Sequence, residues 1–485
     1  MNLGRNTLYN LAGGIIPLVG ALITVPIYVK LIGPARYGVL AIAWLLLGYF
    51  GLFDLGLGRA TSFRIASLKT ASPAERADTF WAAVVINLLM GLVGAAVLWA
   101  AAGYFFSYVF KVQAALRPEM IAAVPLLAAT VPVATLSGVL TGALQGREKF
   151  LGINIVSVVW TLLFQILPLG VAWWLGPNIV QILCAALAAR LLALAVLAEL
   201  CRREFTRGHP IRWVSREAPQ LLKYGGWVTV ASLMGPLLVI VDRFAIGAML
   251  GAEAVAVYTI PYQPAKQIQI LPAALTGALF PRISAASPAA RQRYAKEATL
   301  TIASLVSLPV VGALFLADPA LKLWIGDNLG GKAAPVAKLL LVGFWLNALA
   351  MIPYTNLQAS GRPDLVTKVQ LFEIPIYFLV LYLGLTQFGV AGAAGAWLFR
   401  CAIDYLLLSW MCNRGFPGLG VLAVNLSLIT VAAIVSARWS HASLAWWIWG
   451  AALASMMLLT AWRTLPDNAK NAIGSIFGRL RQAQL

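Results

Sequence analysis

The chain has 485 residues, of which 61% are hydrophobic and 11% are charged, and its formal net charge is +19. A soluble domain carries about 25% charged residues, so this composition excludes a soluble enzyme, a secreted disulfide-rich protein and a disordered chain. The apolar residues form continuous runs, which excludes an outer-membrane barrel because barrel strands alternate apolar and polar positions. What remains is a multi-span membrane protein with almost no extramembrane domain.

Fourteen apolar runs follow one another along the chain, each bounded by glycine, proline or clustered charges. Hydrocarbon cannot satisfy peptide groups, so each run of about 20 residues is predicted to be a membrane-spanning helix. The first run lacks a convincing cleavage site for a signal peptidase and is predicted to be retained. The predicted spans cover residues 8–32, 38–58, 79–106, 119–144, 150–175, 178–200, 224–250, 254–280, 297–317, 336–358, 366–386, 389–412, 420–437 and 443–463.

The positions of lysine and arginine predict the orientation. With the N-terminus on the cytoplasmic side, and with residues at span ends assigned to the adjoining segments, 24 of the 36 Lys and Arg residues fall in cytoplasmic segments, eight fall in outside segments and four lie within spans. This asymmetry follows the positive-inside rule, and an even number of spans then makes both termini cytoplasmic. The excess positive charge faces the anionic lipids of the cytoplasmic leaflet, so it does not indicate a nucleic-acid partner.

A weak internal repeat divides the chain. Residues 31–38, after the first span, echo residues 249–256, after the seventh, at an offset of 218 positions. Six spans lie between the copies, which predicts a parallel repeat about a pseudo-two-fold axis along the membrane normal. The predicted parts are an N-terminal six-helix lobe (1–200), a cytoplasmic linker (201–223), a second six-helix lobe (224–412), and two extra helices with a cytoplasmic tail (413–485).

Polar residues within the spans are the strongest indicators of function, because a charged side chain costs about 2.5–3.5 kcal/mol at a helix centre. One face of span eight carries a polar stripe formed by Tyr258, Tyr262, Lys266 and Gln269. The stripe lines either a water-filled cavity for an anion or a helix contact in which the lysine pairs with an acid. Asn154 begins an uncharged polar face of span five, which suits either the hydroxyl groups of a ligand or helix–helix hydrogen bonds.

The acidic and basic neighbours Asp242 and Arg243 lie near the end of span seven. Adjacent helix positions point about 100° apart, so one side chain is expected to face the lumen and the other a neighbouring helix. Arg59 and Arg64 follow span two, where they serve either as interfacial anchors or as ligands at the cytoplasmic mouth.

The remaining charges lie in spans six, eleven and twelve. Arg400 and Asp404 are four positions apart on one helix, which favours a structural ion pair. Glu373 is interpreted as a proton or cation site, as a buried neutral acid or as a partner of Arg243. Arg190 has no obvious partner on its own helix.

Neither catalysis nor metal binding is indicated by the sequence. The four cysteines are scattered and the two histidines are far apart, so neither a metal site nor a disulfide framework is predicted. A Walker sequence, a zincin helix and a nucleophile elbow are all absent from the sequence. No cofactor and no enzymatic activity are therefore expected.

A series of short motifs runs through nearly the whole chain. These are residues 10–14, 26–28, 31–33, 37–38, 53–58, 144–150, 241–247, 280–281, 324–326 and 358–363. In order and spacing they resemble the polysaccharide-type lipid-linked oligosaccharide flippases, the Wzx O-antigen flippase group of the multidrug/oligosaccharidyl-lipid/polysaccharide exporter superfamily. After the seventh span, Val255 and Ala256 depart from the Gly-Tyr pattern that is usual in this family. The resemblance implies two six-helix lobes around a central cationic cavity, two C-terminal helices, and a substrate on undecaprenyl diphosphate in the bacterial inner membrane.

A flippase function sets clear physical requirements. A diphosphate-linked glycan cannot cross about 30 Å of hydrocarbon unaided, because burial of its charges costs tens of kcal/mol. A wet cationic cavity that opens alternately to the two sides meets this requirement. The headgroup ligands are expected to be Arg59, Arg64, Arg243 and Lys266, with Arg190 and Arg400 less favoured. Coupling to H⁺ or Na⁺ is expected, if it occurs, through Asp242 or Glu373, and polysaccharide polymerase machinery is an expected partner.

Three other interpretations stay open. A cation-coupled multidrug antiporter of the same superfamily would be favoured by a cavity in which acids outnumber bases. A membrane glycan polymerase or ligase is expected to carry a large periplasmic loop, and none is predicted here. A structural membrane protein would leave Lys266 unexplained.

Overall fold

The computed structural model of the chain describes residues 3–49, 57–68, 72–206, 238, 240–413, 418–439 and 442–466. Within these residues the chain forms thirteen α-helices and no strand. The helices are α1 (Leu3–Tyr49), α2 (Leu57–Ser67), α3 (Pro73–Tyr104), α4 (Arg117–Gly146), α5 (Phe150–Leu175), α6 (Ile179–Cys201), α7 (Ala252–Lys266), α8 (Ile270–Ala285), α9 (Pro288–Ile325), α10 (Asp327–Ala359), α11 (Pro363–Asn413), α12 (Leu419–Arg438) and α13 (Leu444–Thr464). Short π-helical turns extend α3 and α6, and residues 240–249 are also helical.

Eleven helical segments in the described part of the chain are long and apolar enough to cross a membrane. The predicted all-α fold of a multi-pass membrane protein is therefore confirmed. Most of the predicted seventh span, at 224–250, lies outside the described residues, so the count of fourteen stays a prediction. Two of the eleven segments contain a chain reversal, and each of these two includes residues of two predicted spans.

Helix α11 is a hairpin of two arms that meet at Gly389. This glycine has a φ of 59° and a ψ of −137°, a conformation that residues with a Cβ rarely adopt. The Nε of Arg400 lies 3.6 Å from Oε2 of Glu373, although 27 residues of continuous helix would separate them by about 40 Å. The two arms correspond to the predicted spans 366–386 and 389–412.

Helix α1 turns back in the same way at Gly33, where φ is 79° and ψ is 160°. The ring centroids of Tyr28 and Trp44 are 5.2 Å apart, whereas sixteen residues of continuous helix would span about 24 Å. The hydroxyl of Tyr28 donates to the backbone oxygen of Gln165 at 3.4 Å. The described parts of the first two predicted spans are thus the arms of a second hairpin, which packs against α5.

The turns between helices recur along the chain. Positive φ angles occur at Gly33 (79°) and at Gly251 (93°), which are 218 positions apart, as in the predicted repeat. Two further pairs of residues with positive φ are 213 positions apart: Glu148 with Gly361, and Gly176 with Gly389. Matching turns at matching places support the predicted parallel repeat of six spans.

The chain divides into two compact units, residues 1–256 and 257–485. In the first unit, α2, α3, α4 and α6 pack around buried apolar side chains such as Ile65, Phe80 and Leu144. In the second unit, Trp345 of α10 is buried, and its Nε1 donates to Oγ of Ser307 at 2.8 Å. The predicted lobe boundaries stay a prediction, because residues 207–237 lie outside the described residues.

The predicted eighth span consists of two helices, α7 and α8, joined by a 3₁₀ turn over Gln267–Gln269. Pro264 and Pro272 lie on either side of this turn, and neither has the N–H that would continue a helical ladder. A 3₁₀ stretch within a helix marks a hinge or a strained sequence. Lys266, the last residue of α7, lies directly at this joint.

Candidate functional site

A cavity of about 290 Å³ lies within the first unit, between α4, α5 and α6. Its polar lining consists of the guanidinium of Arg190, the indole of Trp160 and the hydroxyls of Ser137, Thr141 and Ser157, and the rest of its lining is aliphatic. A guanidinium remains charged under all physiological conditions, and its planar fork binds anionic oxygens two at a time. Together with the hydroxyls of Thr141 and Ser157 it provides donors for an anionic or polyhydroxylated group, while the hydroxyl of Ser137 donates to the backbone oxygen of Val133 at 2.7 Å.

Aromatic rings hold Arg190 in place. The centre of its guanidinium lies 5.4 Å from the ring centroid of Trp160 and 5.5 Å from that of Phe164. Both distances fall within the range of a cation–π interaction, which attracts the cation without neutralising its charge. The arrangement therefore fixes the direction of the side chain at the wall of the cavity.

Capping hydrogen bonds fix where α6 begins, and this in turn sets the position of Arg190 along the span. The side-chain oxygen of Asn178 accepts a hydrogen bond from the backbone of Val180 at 2.9 Å, and a carboxylate oxygen of Glu119 accepts one from the backbone of Ile179. These groups satisfy donors at the first turn, which the helix itself cannot satisfy. Eleven residues of helix then place Arg190 about 16 Å from the beginning of α6, in the middle of the span.

The ion pair Asp242–Arg243 corrects one prediction. Nη1 of Arg243 lies 2.7 Å from Oδ1 of Asp242, and the two residues, Arg243 and Asp242, are 1% and 0% exposed. The expectation that the side chains point apart is wrong, because the long arginine side chain bends around the helix to reach the carboxylate of the adjacent residue. Binding of an anionic ligand by Arg243 would have to compete with this buried carboxylate.

The polar stripe of span eight is divided in the structure. Tyr258 and Tyr262 are buried, and their rings stack with centroids 6.0 Å apart. Gln269 donates from Nε2 to the backbone oxygen of Phe344 at 3.0 Å. Lys266 is exposed. The two tyrosines and the glutamine thus contribute to helix packing in the second unit, while the lysine lies at its surface.

Glu373 and Arg400 form a buried ion pair across the α11 hairpin. The two side chains are almost inaccessible to solvent, and Nε of Arg400 lies 3.6 Å from Oε2 of Glu373. The guanidinium of Arg400 also lies over the ring of Trp397, 4.9 Å from its centroid. The described partner of Glu373 is thus Arg400, whereas Arg243 pairs with Asp242. Asp404 interacts electrostatically with both members of the pair.

The predicted residues near the cytoplasmic mouth are less informative. Arg64 is half-buried in the last turn of α2. The backbone of Arg59 is helical, and its side chain lies outside the described residues. Asn154 is exposed near the beginning of α5 and does not line the Arg190 cavity. Their roles as ligands stay predictions.

The aromatic residues around Arg190 and Arg400 were not predicted as site residues. Trp397 lies three positions before Arg400 on one helix arm, and this spacing brings side chains together, so the pattern was available in the sequence. Trp160 reaches Arg190 from another helix, which only the tertiary structure reveals. In the described part of the chain, no three His, Cys, Asp or Glu residues cluster closely enough to hold a metal ion.

Solved structures of other membrane proteins share this fold. The structure described as "Lipid II flippase MurJ, inward closed conformation" matches with a TM-score of 0.74 at 13% identity, over 94% of this chain and 98% of that chain. An inward-facing multidrug resistance MATE family transporter of the MOP superfamily matches with a TM-score of 0.63 at 16% identity, over 87% of this chain and 98% of that chain. At these identities the matches show a common fold.

Sequence comparison is more specific. The "Putative O-antigen transporter" of Shigella flexneri is 29% identical over 416 residues, which cover 85% of this chain and 98% of the relative. The family model described as "Polysaccharide biosynthesis protein" matches residues 3–287, more than half of the chain. The resemblance predicted from the motifs is thereby confirmed. This chain belongs to the polysaccharide biosynthesis protein family.

Proposed function

We propose that the protein is a flippase that moves an undecaprenyl-diphosphate-linked oligosaccharide from the cytoplasmic to the periplasmic leaflet of the bacterial inner membrane. The glycan would be the repeat unit of O-antigen or of another surface polysaccharide. The family match, the name of the Shigella flexneri relative and the fold shared with a lipid II flippase support this proposal. The proposed orientation has both termini in the cytoplasm.

The observation that carries the proposal is the Arg190 cavity. It combines one cation at mid-span with three hydroxyls and an aromatic ring, and these groups suit the phosphates and the hydroxyls of a sugar diphosphate. A charged side chain at this depth is costly in a structural helix, so its presence indicates a functional role. Arg59, Arg64, Arg243, Lys266 and Arg400 remain proposed contributors at other stages of transport.

An apolar groove in the second unit suits the lipid part of the substrate. It has a volume of about 910 Å³ and lies between α10, the second arm of α11 and α12. Its lining is almost entirely aliphatic and aromatic, with Lys338 and Thr430 as polar exceptions. A polyprenyl chain needs no polar contacts and can remain in such a groove or in the surrounding lipid while the headgroup is carried across.

The membrane potential can supply the driving force for transport, and its size follows from the charge of the headgroup. A headgroup with about two negative charges gains about 4–5 kcal/mol per 100 mV when it moves outward across a membrane whose potential is negative inside. Alternating access through a cationic cavity can therefore proceed without ATP. Coupling to H⁺ or Na⁺ through Asp242 or Glu373, and cooperation with polysaccharide polymerase machinery, are further parts of the proposal.

The proposal is tested by removing the protein from its host and separating lipid-linked glycans by leaflet. Accumulation of one undecaprenyl-diphosphate-linked glycan on the cytoplasmic leaflet is expected. Complementation with Arg190→Ala should restore less than about a tenth of export, and Arg190→Lys should restore an intermediate amount because lysine is a point charge. Arg202→Ala is the matched control, since this exposed residue pairs with Glu199 at the end of the same helix. Normal export by Arg190→Ala would contradict the proposed site.

A further inference from the structure

Two carboxyl groups meet inside the second unit, between the arms of the α11 hairpin. Glu373 lies on the first arm, 3.6 Å from Nε of Arg400 on the second. Asp404 lies one helical turn after Arg400 on the same arm, and it interacts electrostatically with both. In a continuous helix, 31 residues would separate Glu373 from Asp404 by about 46 Å. The reversal at Gly389 alone creates this juxtaposition.

The charges around the two acids do not balance. Among the described residues, the titratable groups that interact with Glu373 and Arg400 are Asp404, Tyr377 and Cys401, and all five residues belong to the two arms. Among them, Arg400 supplies one positive charge against two carboxylates. A net negative charge is unfavourable in a buried site of low polarity. One proton held between the two carboxyl groups removes it.

The hydrogen bonds available to Glu373 also indicate one proton between the two carboxyl groups. Both carboxylate oxygens of Glu373 are buried, and within the described residues neither has a hydrogen-bond donor at normal distance. Arg400 Nε, at 3.6 Å, is too far for a hydrogen bond, and its guanidinium is held over the ring of Trp397. Buried carboxylates almost always accept hydrogen bonds. A protonated Asp404 would be the missing donor, because a carboxylic acid donates one hydrogen bond whereas a carboxylate donates none.

We propose that Glu373 and Asp404 form a proton-binding pair beside Arg400, which holds one exchangeable proton and couples its release to movement of the α11 arms. Uptake of the proton converts a site of net charge −1 into a neutral one, and release restores the charge. The guanidinium disfavours a sodium ion at the same place, because two cations would then lie side by side. This inference rests on the proposed function, for which it names the coupling ion.

The test uses the purified full chain in lipid nanodiscs, followed by infrared difference spectroscopy during a pH titration in H₂O and D₂O. The wild type is expected to show the carbonyl stretch of a buried protonated carboxyl, shifted in D₂O. Glu373→Gln and Asp404→Asn should each remove this band, and either variant carries the test if the other fails to fold. Asp364→Asn is the matched control, because Asp364 forms an exposed pair with Lys368 on the same helix. A wild type without the band, or persistence of the band in both variants, would overturn the proposal.

Two further measurements distinguish a proton site from a sodium site and from a static ion pair. Addition of NaCl at constant pH should leave the band unchanged, whereas its loss on addition of sodium would identify a sodium site and refute the inference. Export driven by an imposed pH gradient at constant potential should lose its gradient dependence in Glu373→Gln. If the band behaves as expected but no lipid-linked glycan is moved by the wild type, the proton pair stands and the proposed substrate is wrong.

Discussion

Replacing Gly392 with alanine is expected to force the arms of α11 apart. A Cβ at this position would lie 1.9 Å from the backbone oxygen of Gly384, where ordinary van der Waals contact begins at 3.4 Å. The arms would have to separate by about 1.5 Å, and overpacking of this kind costs about 1–3 kcal/mol. Because the separation occurs near the reversal, it also pulls Glu373 away from Arg400.

Thermal unfolding of a fluorescent fusion, followed by size-exclusion chromatography, measures this effect. Gly395→Ala is the control, because a Cβ at this position has no atom within 4 Å, and alanine is favoured over glycine in a helix by about 1 kcal/mol. We expect Gly392→Ala to unfold at a lower temperature than the wild type, and Gly395→Ala at the same or a higher one. Equal stability of the two variants would refute the close packing of the arms.

Three further predictions concern single contacts. Asp242→Ala leaves Arg243 without its buried carboxylate, and a loss of about 3–5 kcal/mol in stability is expected; thermal unfolding should show a smaller loss for the double variant Asp242→Ala/Arg243→Ala. Trp345→Phe removes the hydrogen bond to Ser307 and should cost about 1–3 kcal/mol, whereas the exposed Trp410→Phe should be neutral in the same assay. Glu204→Ala breaks the partly exposed pairs with Arg147 and Lys149; a stability change above about 1 kcal/mol per pair would contradict this account, because exposed ion pairs contribute little.

Much of the fold could be predicted because hydrocarbon permits few alternatives. Long apolar runs must be helices, and the breaks at Gly33 and Gly389 were visible as boundaries between predicted spans. The repeat was detectable from residues 31–38 and 249–256, and the positive φ angles at Gly33 and Gly251 now support it. Helix periodicity and turn residues are local properties, which a sequence displays directly.

The site was harder to predict because its contacts join separate helices. The angle between adjacent helix positions describes the directions of Cβ atoms, but it does not limit where the end of Arg243 can reach. Glu373 was recognised as unusual, yet its partner could not be chosen without knowing that Gly389 brings Arg400 opposite it. In the same way, no helical spacing predicts that Trp160 contacts Arg190 from another helix.

The interrupted helix of the eighth span has a mechanical consequence. Helix α7 has 15 residues and is therefore about 22 Å long. Only three residues of 3₁₀ turn join it to α8. A rotation of about 10° at this elbow would displace the far end of α7 by about 4 Å, with no stretching of the ladders on either side. A small torsion beside Lys266 is thus amplified into a displacement comparable to the width of a phosphate group.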